Sequence, residues 1–199
     1  MPSRLAVLVS GRGSNLQAII DHFAATGKER LAGIALVASN RADAPALKKA
    51  EAAGIDSATF NAVDDGTELL RLLHEFRIDL VVLAGYLTKI PSSVIDEYEG
   101  RIVNIHPALL PAFGGEGMYG TRVHKAVIAA GAAHSGATVH LVTDEYDRGP
   151  LIAKWRIPVA KSDTAESLAG RVLQVEHVMY PRIIEMIAVL HQLESNSSS

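Results

Sequence analysis

The stretch Leu5-Ala6-Val7-Leu8-Val9-Ser10-Gly11-Arg12-Gly13-Ser14-Asn15-Leu16-Gln17 decides the fold. Leu5 to Val9 is an unbroken apolar run, the pattern of a strand covered on both faces in a parallel sheet. Helical spacing of apolar residues starts near Leu16. Ser14 followed by Gln17 has the form of a capping box, so Ser14 is the expected cap. Between strand and helix, Gly11 and Gly13 open the backbone at a helix N-terminus, where free amides and the helix dipole favour an anion. A lone Gly-x-Gly fits a merely tight βα turn equally well. Ser14 and Asn15 add short hydrogen-bonding side chains beside the amides and turn the reading toward phosphate.

This loop is not a dinucleotide fingerprint. Leu16 stands where the third glycine belongs, and the second strand ends in Ser39-Asn40 rather than in an acidic ribose ligand. No Lys-Ser or Lys-Thr follows, as a P-loop requires. A phosphorylated small molecule fits better than NAD or ATP.

Outward from this unit the strand and helix patterns keep alternating, the signature of a mostly parallel sheet flanked by helices. Ile34 to Ala38 reads as a strand, Pro45 to Ala53 as a helix ended by Gly54, and Ala58 to Phe60 as a weak strand. A helix from Thr67 to Phe76, the buried strand Leu80 to Leu83, a short helix near Pro91 and a strand from Arg101 to His106 follow. The second half is less regular. Residues 107–120 hold two prolines and four glycines, a loop of a length that compact domains seldom keep without a function. A helix near Val123 to Ala130 and strands Ala137 to Val142 and Leu151 to Ile157 come next. Asp163 and Glu166 are expected to cap a long last helix toward Leu193, kinked at Pro181. One α/β domain over 1–194 and a polar tail over 195–199 are expected.

Composition narrows the function. With no cysteine in 199 residues, disulfides, thiolate metal sites and cysteine nucleophiles are excluded together. A net charge of −3 and only 5% aromatic residues argue against surfaces that attract or stack nucleic acid, or that bind anionic membranes. No apolar run approaches the ~20 residues of a membrane span. A cytoplasmic protein acting on small-molecule substrates is expected, with neither nucleic acid nor membrane as partner and with a homodimer left open.

Asn104 and His106 alternate on one strand face at its carboxyl end, where open α/β sheets bind ligands. An asparagine amide donates to a developing oxyanion, and a histidine transfers protons near neutral pH. Asp147, in the turn before Arg148-Gly149-Pro150, is a third partner. No nucleophile elbow is present. His124, His134, His140 and His177 lack ligand spacing and read as surface or core residues, so no metal is expected. An oxyanion donor and an acid/base pair without a protein nucleophile point to direct acyl transfer between two bound substrates.

These segments resemble the folate-dependent glycinamide ribonucleotide formyltransferase family over nearly the whole chain. The carriers are Ser10-Gly11-Arg12-Gly13-Ser14-Asn15, Leu83-Ala84-Gly85-Tyr86, Asn104-Ile105-His106-Pro107-Ala108-Leu109-Leu110-Pro111, and Asp144-Glu145-Tyr146-Asp147-Arg148-Gly149-Pro150. The resemblance implies a Rossmann-like formyltransferase fold and formyl transfer from 10-formyltetrahydrofolate to glycinamide ribonucleotide, a step of purine biosynthesis; a 10-formyltetrahydrofolate hydrolase of the same fold and a non-catalytic nucleotide-binding protein are the alternatives. It further implies catalysis by Asn104, His106 and Asp147. It assigns nucleotide binding to Gly11, Arg12, Gly13, Ser14, Asn15 and Glu176, and folate binding to Tyr86, Leu87, Thr88, Lys89, Ile90, Asn104 and Asp144. Glu176 shares a helical stripe with Val172 and Tyr180, where an unpaired carboxylate would be costly. Two stretches depart from the family pattern: Leu87-Thr88-Lys89-Ile90 replaces the common Met-Arg-Ile-Leu, and the loop Phe113 to Gly120 is longer and richer in glycine.

Overall fold

The computed structural model describes residues 2–25 and 31–197. Among these residues one sheet of seven strands runs in the order β3-β2-β1-β4-β5-β6-β7. The strands are β1 (Ser3–Val9), β2 (Ala32–Ser39), β3 (Ser57–Thr59), β4 (Leu80–Leu83), β5 (Ile102–His106), β6 (His134–Leu141) and β7 (Leu151–Pro158). The helices are α1 (Ser14–Ala25), α2 (Pro45–Ala52), α3 (Thr67–Glu75), α4 (Ser92–Glu97), α5 (Thr121–Ala129) and α6 (Ala165–Ser197). β1 to β5 pair in parallel, and β6 and β7 join antiparallel. The expected mostly parallel α/β sheet is therefore present.

Alternation in β1 explains its unbroken apolar run. Leu5, Val7 and Val9 enter a core with Leu16 and Ile19 of α1 and Leu168, Val172 and Ile184 of α6. Ala6 and Leu8 enter a second core with Leu69, Leu72 and Leu73 of α3 and Val94 and Ile95 of α4. The chain leaves β1 toward β2 on one side, while β4 pairs on the other. Their carboxyl ends thus diverge at a switch point, which is where such sheets form a crevice. α6 is fastened across this region by Tyr180, whose buried hydroxyl donates to the carbonyls of Leu83 at 3.0 Å and Val103 at 3.1 Å.

Several local expectations are corrected. Gly13, not Ser14, occupies the cap position of α1. The Gly13 carbonyl accepts the Gln17 N–H at 3.0 Å, and the Gln17 amide turns to Asp21 at 2.9 Å instead of reaching back. Thr164 caps α6, because its hydroxyl accepts the Ser167 N–H at 3.2 Å while Ser167 Oγ accepts the Thr164 N–H at 2.9 Å. Asp163 pairs instead with Arg171 at 2.5 Å and accepts the Ala160 N–H at 2.8 Å. β6 begins at His134, ahead of the expected Ala137, since pairing with β7 carries a sequence with little strand character of its own. α6 holds Pro181 within it, in line with the single long helix expected, but runs past Leu193 to Ser197, since adding residues to an existing helix costs far less than starting one. The expected tail is thus helical over most of its length, and Ser198 and Ser199 lie outside the described residues. No helix among the described residues is long and apolar enough to cross a membrane.

Candidate active site

A cleft of about 860 Å³ opens at the switch point, and every residue assigned from the sequence to catalysis, nucleotide binding or folate binding lines it. On one wall the backbone does the work. Gly13 has φ +68, and a Cβ there would sit 2.6 Å from Ala46 Cβ, so α2 packs against a position that only glycine fills. The Gly11 carbonyl accepts the Ala46 N–H at 3.2 Å, which fixes the loop and leaves its remaining amides at the start of α1. Arg12 is exposed beside them.

Asn15 and Glu176 are both buried, and Asn15 Nδ2 donates to Glu176 Oε2 at 2.7 Å. Burial pushes the Glu176 carboxyl up to about 7, against the opposing pull of Asn15. Glu176 is thus a buried acid on the cleft wall, not part of a solvated helix face.

The opposite wall consists of side chains. Antiparallel pairing sets Asn104 opposite His140 and His106 opposite Thr138. His140 Nδ1 donates to the Leu141 carbonyl at 2.8 Å, which leaves Nε2 as the acceptor facing Asn104 Nδ2 at 3.2 Å. One Asn104 hydrogen is thereby taken, the amide is oriented, and the second hydrogen remains for a ligand. His106 Nε2 lies 2.8 Å from the Phe113 carbonyl, and its Nδ1 lies 3.4 Å from Asp147 Oδ2. The same Oδ2 accepts the Gly115 N–H at 2.9 Å, and Asp147 Oδ1 is 3.4 Å from His140 Nε2.

Electrostatics follow from this burial. Desolvation pulls the His106 pKa below its usual value, although Asp147 and the Phe113 carbonyl oppose it. For Asp147, burial is the largest single influence and acts upward, yet His140, His106 and the Gly115 amide together hold the carboxylate below its usual range. An imidazole that resists charging beside a carboxylate that stays charged is suited to proton transfer when negative charge appears next to it. Phe113 and Asp147, both contacts of His106, have φ +58 and +56, conformations costly for non-glycine residues and concentrated at functional sites.

The loop after β4 closes the cleft. Tyr86 and Ile90 are buried, and Tyr86 stacks on Phe60 with ring centroids 6.0 Å apart. Burial pushes the Tyr86 phenol up to about 12. Leu87 and Lys89 are exposed, Thr88 is half-buried, and exposed Asp144 accepts the Ser92 hydroxyl at 2.6 Å. Sequence reasoning missed two residues here. His140, read as surface or core, orients Asn104. Thr138 donates to the Ala108 carbonyl at 2.6 Å and accepts the Leu110 N–H at 3.1 Å, holding the chain just past His106. Both lie on one face of β6, but only the β5–β6 register reveals what that face meets. Among the described residues no cluster of His, Asp or Glu side chains is arranged for a metal ion.

The model of the formyl transferase family matches residues 3–184. The chain belongs to this family. It is 43% identical over 191 residues to the chloroplastic phosphoribosylglycinamide formyltransferase of Vigna unguiculata, across 92% of this chain and 60% of that protein. The chain therefore spans about 60% of the length of that relative. A crystal structure of phosphoribosylglycinamide formyltransferase from Brucella melitensis superposes with a TM-score of 0.84 at 40% identity, over 94% of this chain and 96% of that one. More distant is a formyltetrahydrofolate deformylase from Pseudomonas syringae, with a TM-score of 0.81, 26% identity, and coverage of 94% of this chain and 62% of that one.

Proposed function

We propose that this formyl transferase moves the formyl group of 10-formyltetrahydrofolate to the amine of glycinamide ribonucleotide, a step of purine biosynthesis. The observation that carries the reading is one cleft with the Gly11 to Asn15 loop and the start of α1 on one wall and the Asn104, His106 and Asp147 side chains on the other. A transferase needs both walls, because it must hold a phosphorylated acceptor and a formyl donor together. A deformylase uses water as its acceptor and has no evident need of the phosphate loop.

In this reading the loop Gly11 to Asn15 holds the phosphate, and Glu176 receives a polar group of the nucleotide. The folate lies along Tyr86 to Ile90 and Asp144. The acceptor amine attacks the formyl carbon, and the carbonyl oxygen takes up negative charge. Asn104 donates its free hydrogen to that oxygen, and His106 becomes the second donor by giving up its contact with the Phe113 carbonyl. The proton leaving the amine passes through the His106–Asp147 pair, the bond from carbon to N10 breaks, and N10 gains a proton. Holding both reactants also removes the entropic cost of a bimolecular encounter.

Purified protein is given 10-formyltetrahydrofolate with and without glycinamide ribonucleotide, and formate and formylated nucleotide are followed by chromatography. Little formate is expected without nucleotide, and rapid formylation with it. Equal formate release in both conditions, with no formylated nucleotide, makes the protein a hydrolase.

A further inference from the structure

Asn40 follows the carboxyl end of β2 and does not line the cleft, yet it ties together two loops that do. Its Oδ1 accepts the Ser10 hydroxyl at 2.8 Å, and its Nδ2 donates to Thr88 Oγ1 at 2.8 Å. Ser10 Oγ also accepts the Leu87 N–H at 3.1 Å, and the Ser10 N–H donates to the Gly85 carbonyl at 3.2 Å. These hydrogen bonds cross the switch point, from the residue that opens the phosphate loop to the loop after β4. Ser10 is buried, so its links work in a low dielectric, where hydrogen bonds strengthen and their loss is costly. Thr88 belongs to the stretch in which the chain departs from the pattern it resembles. An arginine there has donors only and could not accept from the Asn40 amide.

We infer that Asn40 is a positioning residue: through Ser10 and Thr88 it fixes the separation of the phosphate loop and the loop Gly85 to Ile90, and so the distance between the two bound substrates. The inference rests on the formyl-transfer reading above. Asn40 touches neither substrate, so its loss acts on the alignment of amine and formyl carbon rather than on either affinity. Misplacement of reacting groups by about 1 Å costs up to ~10²-fold in rate.

The test compares Asn40→Ala, Asn40→Asp, Thr88→Val and the double variant of Asn40→Ala with Thr88→Val, by kcat, by KM for each substrate and by thermal midpoint. In Asn40→Ala and Thr88→Val, kcat is expected to fall roughly tenfold, with the nucleotide KM within roughly threefold of the parent. The double variant is expected to be no worse than the poorer single one, and Asn40→Asp, whose two oxygens still accept the Ser10 and Thr88 hydroxyls, to lose clearly less kcat than Asn40→Ala. Additive losses, or a raised KM at unchanged kcat, overturn the inference. Should Asn40→Ala fail to fold, Asn40→Asp decides in its place, read by kcat at unchanged nucleotide KM, since it keeps the size of the side chain and loses only its donor to Thr88. If the parent protein makes no formylated nucleotide, the transfer reading fails separately, and the bridge is judged on binding. Ribose 5-phosphate is then expected to tighten tetrahydrofolate binding roughly threefold in the parent and not in Asn40→Ala. Equal coupling in both overturns it.

Discussion

The two halves of the sheet deliver their polar groups to the cleft by opposite means. On the parallel side, after β1, the groups are amides of the main chain, aimed by the start of α1 and by packing against Ala46. On the antiparallel side, after β5 and β6, they are side chains brought together by strand register. Backbone conformation differs in the same sense. Positive φ around the cleft falls on glycines alone, Gly13 and Gly85, in the first half, but in the second half on Phe113 and Asp147 as well as on Gly115, Gly117 and Gly120. A site made of amides tolerates most side-chain changes and is broken only by added bulk, whereas a site made of side chains is lost with single atoms.

The largest expected effect tests the side-chain half. His106→Ala and Asn104→Ala each remove one donor to a developing oxyanion, which typically lowers turnover by ~10²–10³. Asp147→Asn keeps an oxygen for the Gly115 N–H but removes the charge facing His106, and a comparable loss is expected. Turnover is measured with thermal unfolding of each variant. A folded His106→Ala protein with near-normal turnover breaks the comparison outright.

That contrast also decides how much was legible in the sequence. β1, the loop after it and α1 form a contiguous unit whose period, glycines and short polar residues are local signals, so the loop proposed to hold an anion could be picked out before any fold was known. Asn104 and His106 were found because strand alternation is local too. His140 was not, for its meaning depends on a partner thirty-six residues away across the β5–β6 ladder. The caps fail for a related reason. Ser14 and Asp163 have suitable side chains, but Gly13 and Thr164 take those positions once packing against Ala46 and pairing with Arg171 are decided. The stripe that holds Glu176 was visible, whereas its partner Asn15, at the far end of the chain, was not.

Glu176 lies between the two regimes, a side chain from α6 serving the amide wall, and it gives the next largest effect. Burial raises its pKa from 4.5 to about 7. Between those values the folded protein binds more protons than the unfolded chain, so stability falls as pH rises. The contribution is complete below about pH 4.5 and lost as pH passes through 7. Glu176→Gln keeps an oxygen for Asn15 Nδ2 and has no carboxyl to ionise. Without ligand, the variant is expected to match the parent near pH 4 and to exceed it by about 3 kcal/mol above pH 8. Denaturant unfolding across this range measures the difference. A difference that does not change with pH means that the carboxylate is solvated and the amide wall carries no buried acid.

The smallest effect separates site from scaffold within the amide wall itself. Gly11 and Gly13 look interchangeable in the sequence, but they are not equivalent in space. A Cβ on Gly11 meets nothing within 4 Å and the position lines the cleft, while a Cβ on Gly13 strikes Ala46 and the residue holds φ +68. Gly13→Ala therefore lowers stability by about 1 kcal/mol or more, and any loss of ligand binding in it reports on the scaffold. Gly11→Ala leaves the fold alone and adds one methyl where an anion must approach the amides closely. Its thermal midpoint is expected to stay at the parental value. Its affinity for ribose 5-phosphate is expected to fall about tenfold, or about 1.4 kcal/mol, with tetrahydrofolate affinity unchanged. Calorimetric titration of the two ligands separately reads both quantities. If phosphate affinity survives Gly11→Ala intact, the anion does not rest on this loop, and the division of the cleft into an amide wall and a side-chain wall must be redrawn around a different acceptor for the charge.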